Sequence, residues 1–264
     1  MKGIFLTVLP FFLLFFPNAL PGDDFIQKVD DGFINWTELT VTLTGSGVPD
    51  LGISNTGSAK LSADRSARMN ALHRLSKALG SIGLGNGKTL EKHLLEIKDG
   101  TFLKELSKNA QWSSMTQGAQ YSDGSVEYVF KFDLQPYLKE IVAKTKDAFF
   151  KEVPKPAETQ SAPAENRHDL LLIDMRKLKA GRVLFPSVET ADGEIISSFT
   201  DFQCAAGKGD DLITKLNVVN HLRISPLKIK DGSAIIVNKE DASKIKTTLD
   251  AGAFSNGRVI ILFK

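Results

Sequence analysis

Cysteine occurs once in this sequence, at Cys204. An intramolecular disulfide and a paired-cysteine zinc site are thereby excluded. Charge of one sign is equally scarce, because 33 Lys and Arg face 31 Asp and Glu and leave a net charge of +2. A chain built to hold nucleic acid concentrates more basic charge than that. Histidine is confined to four scattered positions, His73, His93, His168 and His221. None of them sits in a metal-ligating pattern; His93 has Glu91 and Glu96 nearby, the make-up of a solvated helix face. Long apolar runs are also missing. The longest, Ile4–Phe16, is 13 residues with Thr7 and Pro10 inside it, short of the roughly 20 that a membrane span needs.

That run has a meaning of its own. Lys2 precedes it, and Pro17, Asn18, Ala19, Leu20, Pro21 and Gly22 follow. A positive end, a short apolar stretch and a small-residue, helix-breaking exit is the layout of a secretory signal peptide. Residues 1–22 are therefore expected to be removed, with cleavage after Ala19 or after Gly22. No cysteine lies near the exit, so no thiol is there to carry a lipid. The mature chain is expected in the periplasm or outside the cell, without a stable membrane anchor. Asn35-Trp36-Thr37 fits the glycosylation triplet, a pattern common by chance.

The remaining chain divides in two. Residues 151–168, with Pro154, Pro156 and Pro163 among Ala157, Ala162 and Ala164, lack apolar periodicity and read as a linker. It separates residues 23–150 from 169–264. The first half carries 15 basic and 16 acidic residues and the second 14 and 12, so neither has the excess that phosphate backbones require.

Leu39, Val41 and Leu43 alternate with threonines and predict a half-buried strand that Gly45-Ser46-Gly47 ends. Ala59, Ala63, Ala67 and Ala71 recur every four residues in a helix expected over 57–79, with Lys60, Asp64, Arg65, Arg68, Arg74 and Lys77 on its solvated face. Two short helices follow, around Leu90–Ile97 and Phe102–Leu106. A hairpin turns at Ser122-Asp123-Gly124, and a helix opens at Pro136. In the second half, Leu170–Ile173 and Val259–Phe263 are continuous apolar runs that predict buried strands, the latter central. Asn238, with Asp241 three residues on, caps a helix bearing Ala242, Ile245 and Leu249. The fold class expected is α+β in both halves, as two small domains. The first is a twisted antiparallel sheet packed against helices. No strict β-α alternation argues for a doubly wound sheet.

Gly32-Phe-Ile-Asn-Trp-Thr37, Thr44-Gly-Ser-Gly47, the helix with Ala63, Arg65, Ala67 and Ala71, and the hairpin Tyr121-Ser-Asp-Gly-Ser-Val126 together resemble a bacterial envelope family. It is that of the twenty-kilodalton membrane-associated lipoprotein, similar to the N-terminal domain of the flagellar assembly protein T. The resemblance covers roughly residues 31–145. Leu172-Ile-Asp174, Phe185-Pro186, Asp192-Gly193 and Asn238-Lys-Glu-Asp-Ala242 look like the domain that follows in long members. The resemblance implies an exported α+β module with no accepted enzymatic activity, lipidated in many members and flagellar in some. This chain departs in lacking the lipid-bearing cysteine.

No motif for catalysis, a cofactor or a metal emerges. Gly83-Leu-Gly85-Asn-Gly87-Lys88-Thr89 echoes a phosphate loop, but Ile82 stands where the first glycine belongs and a helix precedes it, so it reads as a helix-to-helix connector. Gly207-Lys208-Gly209 is a weaker echo and reads as a loop. Cys204 has no local group to activate it for work with His221. The function expected is that of an exported, non-enzymatic cell-envelope protein acting through contacts with other envelope proteins, as an adaptor or accessory component. It needs no cofactor and binds no nucleic acid, and any outer-membrane association runs through its partners. The alternative is a periplasmic small-ligand or glycan-binding module using a cleft between the halves.

Overall fold

The structure is a computed structural model that describes residues 24–50, 52, 55–149, 168–199, 202–206, 213–214, 218, 220–250 and 259–264. The segment expected to be a signal peptide, the stretch 151–167 expected to be a linker, Gly207-Lys208-Gly209 and Gly252 lie outside the described residues.

The first half is built on a five-stranded antiparallel sheet. Its strands are β1 (Ile26–Val29), β2 (Gly32–Asn35), β3 (Thr40–Gly47), β6 (Trp112–Gln120) and β7 (Val126–Asp133), in the order β1-β2-β3-β7-β6. The alternation read from Leu39 to Thr44 holds, with Val41 and Leu43 buried and the threonines half-buried. The strand does not stop at Gly45, however; it runs on through Gly47 against β7. The glycines are there for the neighbour across the sheet, the helix α1 (Thr56–Gly80). A Cβ on Gly45 would come within 2.8 Å of the Phe130 ring and 2.9 Å of the Ala71 methyl, and one on Gly47 within 2.5 Å of the Ala67 backbone nitrogen. Ala63, Ala67 and Ala71 are fully buried, so small residues on both surfaces bring helix and strand backbones together. The Asn55 side chain caps α1 by accepting from the N–H groups of Gly57 and Ser58.

After α1 the glycine-rich stretch is more than a connector. It folds as a ribbon of β4 (Gly83–Gly85) and β5 (Lys88–Thr89), turning through Asn86 and Gly87 at φ of 52° and 68°. Two consecutive positive φ angles make the tight hairpin that Asn-Gly favours. Two short helices, α2 (Leu90–Glu96) and α3 (Phe102–Lys108), lead to the β6–β7 hairpin, and α4 (Gln135–Phe149) closes the half with Pro136 in its first turn.

The second half contains β8 (Leu170–Asp174), β9 (Ser187–Thr190), β10 (Ile195–Ser198), β11 (Gln203–Ala206), β12 (His221–Ile224), β13 (Lys228–Lys230), β14 (Ala234–Val237), α5 (Lys239–Asp250) and β15 (Val259–Phe263). One sheet, β11-β15-β8-β12, is parallel throughout, and β15 is internal to it as its apolar run predicts. The other, β10-β9-β14-β13, is mixed. Parallel pairing here comes without β-α alternation, because the chain leaves the first sheet at β8, forms β9 and β10 in the second, and returns at β11. The cap on α5 is as expected, with the Asp241 N–H donating to Asn238 Oδ1 at 2.8 Å. The whole is an α+β fold.

Each sheet draws its strands from one side of residues 151–168. The apolar core does not respect that division. One buried cluster runs from Ile34, Phe130 and Leu79 in the first half to Ile173, Val188 and Ile261 in the second. Phe25 stacks on Phe263 at 4.3 Å and Phe149 on Phe185 at 6.2 Å. The β4–β5 ribbon binds the second half through its backbone. Leu184 and Phe185 N–H groups donate to the carbonyls of Gly83 and Leu84 at 2.9 and 3.0 Å, and the Asn86 N–H donates to Ser233 Oγ at 2.7 Å. A linker's composition reports on the linker alone; it does not show whether the ends of the halves are apolar toward one another.

Candidate functional site

A groove of about 580 Å³ lies in the first half. It forms where two stretches of chain, 102–113 and 133–140, converge. The α3 helix contributes Phe102, Glu105 and Leu106, whose spacing of three and four residues sets them on one side of that helix. The start of β6 contributes Trp112 and Ser113, and the end of β7 Asp133. The first turns of α4 contribute Pro136, Tyr137 and Glu140.

The aromatic walls are held from behind. Trp112 meets Phe130 edge-on at 5.4 Å, and the Arg68 guanidinium lies 5.7 Å from the Trp112 ring centre. Tyr137 is buried. Burial, with the Asp133 carboxylate next in weight, pushes its phenol above the ordinary value. Asp133 caps α4 by accepting the Gln135 N–H at 2.9 Å.

The electrostatics of the groove are one-sided. Glu105, Asp133 and Glu140 line it, and no basic residue does. None of the three carboxylates forms an ion pair among the described residues, while Arg68 lies over the Trp112 ring and Lys144 over the Phe102 ring. Lys131 pairs with Glu38 at 2.9 Å and Lys144 with Asp99 at 2.6 Å. Such a groove attracts cations and repels anions.

The groove opens onto the edge of the sheet. Trp112 and Ser113 belong to both, and from there β6 continues as an outer strand with no described strand beyond it. Its nine residues, Trp-Ser-Ser-Met-Thr-Gln-Gly-Ala-Gln, include no charge, and all but Trp112 and Ala119 are exposed. Its pairing with β7 shifts at Trp112/Ser114 and again between Gln117 and Gln120, leaving Ser114–Gln117 as a regular stretch. The other described edges are guarded. Lys28 stands on β1, Arg223 on β12, and Lys228 and Lys230 on β13, while β10 and β11 are four residues long and half or fully buried.

The residues weighed from the sequence lie elsewhere. His73 is exposed on α1. His93, expected on a solvated face, is buried and meets Phe149 edge-on at 4.9 Å, because α4 packs over that side of α2. His168 Nδ1 lies 2.8 Å from Asn220 Oδ1. Cys204 and His221 occupy the two outer strands of the parallel sheet, three strand spacings or about 14 Å apart, so they form no pair. The Cys204 thiol is buried and raised by desolvation, which outweighs the opposing pull of Arg182, whose Nη1 lies 3.3 Å from Sγ. Asn35 is also buried. Its amide donates to Asp24 and its oxygen accepts from the N–H groups of Thr37 and Glu38, so the glycosylation triplet is internal structure.

The charged face of α1 is less solvated than its spacing suggests. Arg74 donates to the Thr44 carbonyl at 2.5 Å and pairs with Asp31 at 3.0 Å, and Asp64 accepts the Tyr128 hydroxyl at 2.7 Å. Long side chains reach past the alanines to the sheet.

The groove residues went unnoticed in the sequence because they come from four elements with no shared motif. The one available signal was the uncharged stretch Asn109–Ser122, within which β6 lies. No protein-family model matches the chain, and no curated protein matches it.

Proposed function

We propose that this chain is an exported cell-envelope protein that works through contacts with other proteins, as an adaptor or accessory component without catalysis of its own. The observation that carries the reading is the β6 edge. Nine uncharged residues, seven of them exposed, form an outer strand with no described strand beyond it, where the other edges are charged or short. An edge of that kind is a template for an added strand, and proteins that do not use one ordinarily blunt it. The layout of residues 1–22 supports export, and the resemblance to the envelope lipoprotein family supports the setting.

The test uses a photo-crosslinking side chain placed at Thr116 on β6 and, as control, at Ser243 on the exposed side of α5. In the native cell the Thr116 position should yield a discrete adduct that Ser243 does not. The mature N-terminus should lie between Asn18 and Asp24. An intact Met1 in membrane pellets would remove the export half of the proposal. No Thr116 adduct, or the same adducts from both positions, would remove the contact half.

A further inference from the structure

We infer that the groove at the head of β6 selects the strand added there, by taking a lysine or arginine side chain from it. This rests on the reading of β6 as a docking edge and adds the chemistry of the partner. Three observations lead to it. The groove and the edge are continuous through Trp112 and Ser113, so a chain lying along Ser114–Gln117 has its end over the groove. The groove presents Glu105, Asp133 and Glu140 with no cation among its lining residues; of the cations beside its walls, Lys144 pairs with Asp99 and Arg68 lies over the Trp112 ring. Its walls include the rings of Trp112 and Tyr137, against which the aliphatic stem of a long basic side chain packs while its charge meets the carboxylates. A volume of about 580 Å³ is ample for such a group and lies within the range of natural ligand sites, roughly 300–1,000 Å³. An acidic side chain at the same position would face three like charges in a half-enclosed space, which disfavours it.

The experiment uses the full mature chain and fluorescein-labelled peptides of eight alternating threonines and valines. One lysine or one glutamate is placed at each position in turn, and binding is read by fluorescence anisotropy. A lysine at the end that overlies the groove should bind about tenfold tighter than glutamate there, the sum of several modest exposed charge contacts. Lysine at the opposite end should give no such preference. Glu105→Gln with Glu140→Gln, both exposed in the native chain and so not expected to affect folding, should bring the lysine peptide to the level of the neutral host. Thr116→Pro should abolish binding of every peptide. Equal affinity for lysine, glutamate and neutral peptides, still abolished by Thr116→Pro, would overturn the selection inference and leave the docking edge intact. No binding by any peptide would overturn both.

Discussion

Gly45 faces Ala71 so closely across the sheet–helix boundary that a Cβ on Gly45 would stand 2.9 Å from the Ala71 methyl. The tightness is mutual, since Ala63, Ala67 and Ala71 have no exposed surface to give up. Gly47→Ala is therefore expected to destabilise the chain by about 1–3 kcal/mol, as overpacking does, because the atoms it meets are backbone and cannot rotate away. Ala67→Leu should act alike. Arg68→Ala should cost about 1 kcal/mol or less, the worth of an exposed cation over the Trp112 ring. Thermal melts of the three variants compare these costs directly. Equal melting temperatures for Ala67→Leu and Arg68→Ala would show that helix and sheet can separate there.

Asp174 is the hub of a charge cluster, accepting from Arg176 at 2.6 Å and Arg223 at 2.8 Å. The hydrogen bond from Arg176 holds its carboxyl well below the usual carboxylate range, ahead of the burial that opposes it. A depressed folded value means that its stabilisation is complete above the unfolded value of about 4 and is lost as pH falls below it. Asp174→Asn is expected to cost about 1–3 kcal/mol at neutral pH, since it weakens charge-assisted hydrogen bonds. The melting-temperature gap between wild type and variant should narrow from about pH 5 to pH 2. A gap that stays constant over that window would sink the assignment.

The shared core predicts that the halves unfold together. Calorimetry should give one transition, and Phe25→Ala, which removes the ring stacked on Phe263, should lower it by the about 3–5 kcal/mol typical of a buried phenylalanine. Protease cleavage within 151–168 should leave two fragments that co-elute. Two resolved transitions, or fragments that separate without denaturant, would mean that the ribbon and the stacked rings do not hold.

Cys204 should react with a thiol reagent only after unfolding. Burial raises the thiol and closes access to it, and the thiolate is the reactive form. Labelling in buffer and in denaturant tells the two states apart. Fast labelling of the native chain would place Cys204 at an open edge of its sheet.

Much of the fold was legible because its signals are local. Ala63, Ala67 and Ala71 announce a helix with a close neighbour, Asn238 and Asp241 a cap, and Val259–Phe263 an internal strand. Each depends on residues within a few positions of one another. Gly45 and Gly47 read locally as a strand end, and β3 does end at Gly47, but their use as clearance for α1 is a matter of what lies across the sheet. His93 is the same case, because its burial is imposed by Phe149 from another helix.

The sequence by itself determined that the chain is α+β, that one face of α1 is built of alanines, and that a single cysteine leaves no disulfide within it. These follow from backbone preference and side-chain periodicity, which act over short stretches. Only the tertiary structure decided that the two halves share one core, that β11, β15, β8 and β12 run parallel, that β6 is an outer strand, and that Glu105, Asp133 and Glu140 meet beside Trp112. Those facts concern which surfaces cover which. Burial is non-directional and scales with area, so a sequence shows that a face must be covered and leaves the choice of cover to the packing of the whole chain.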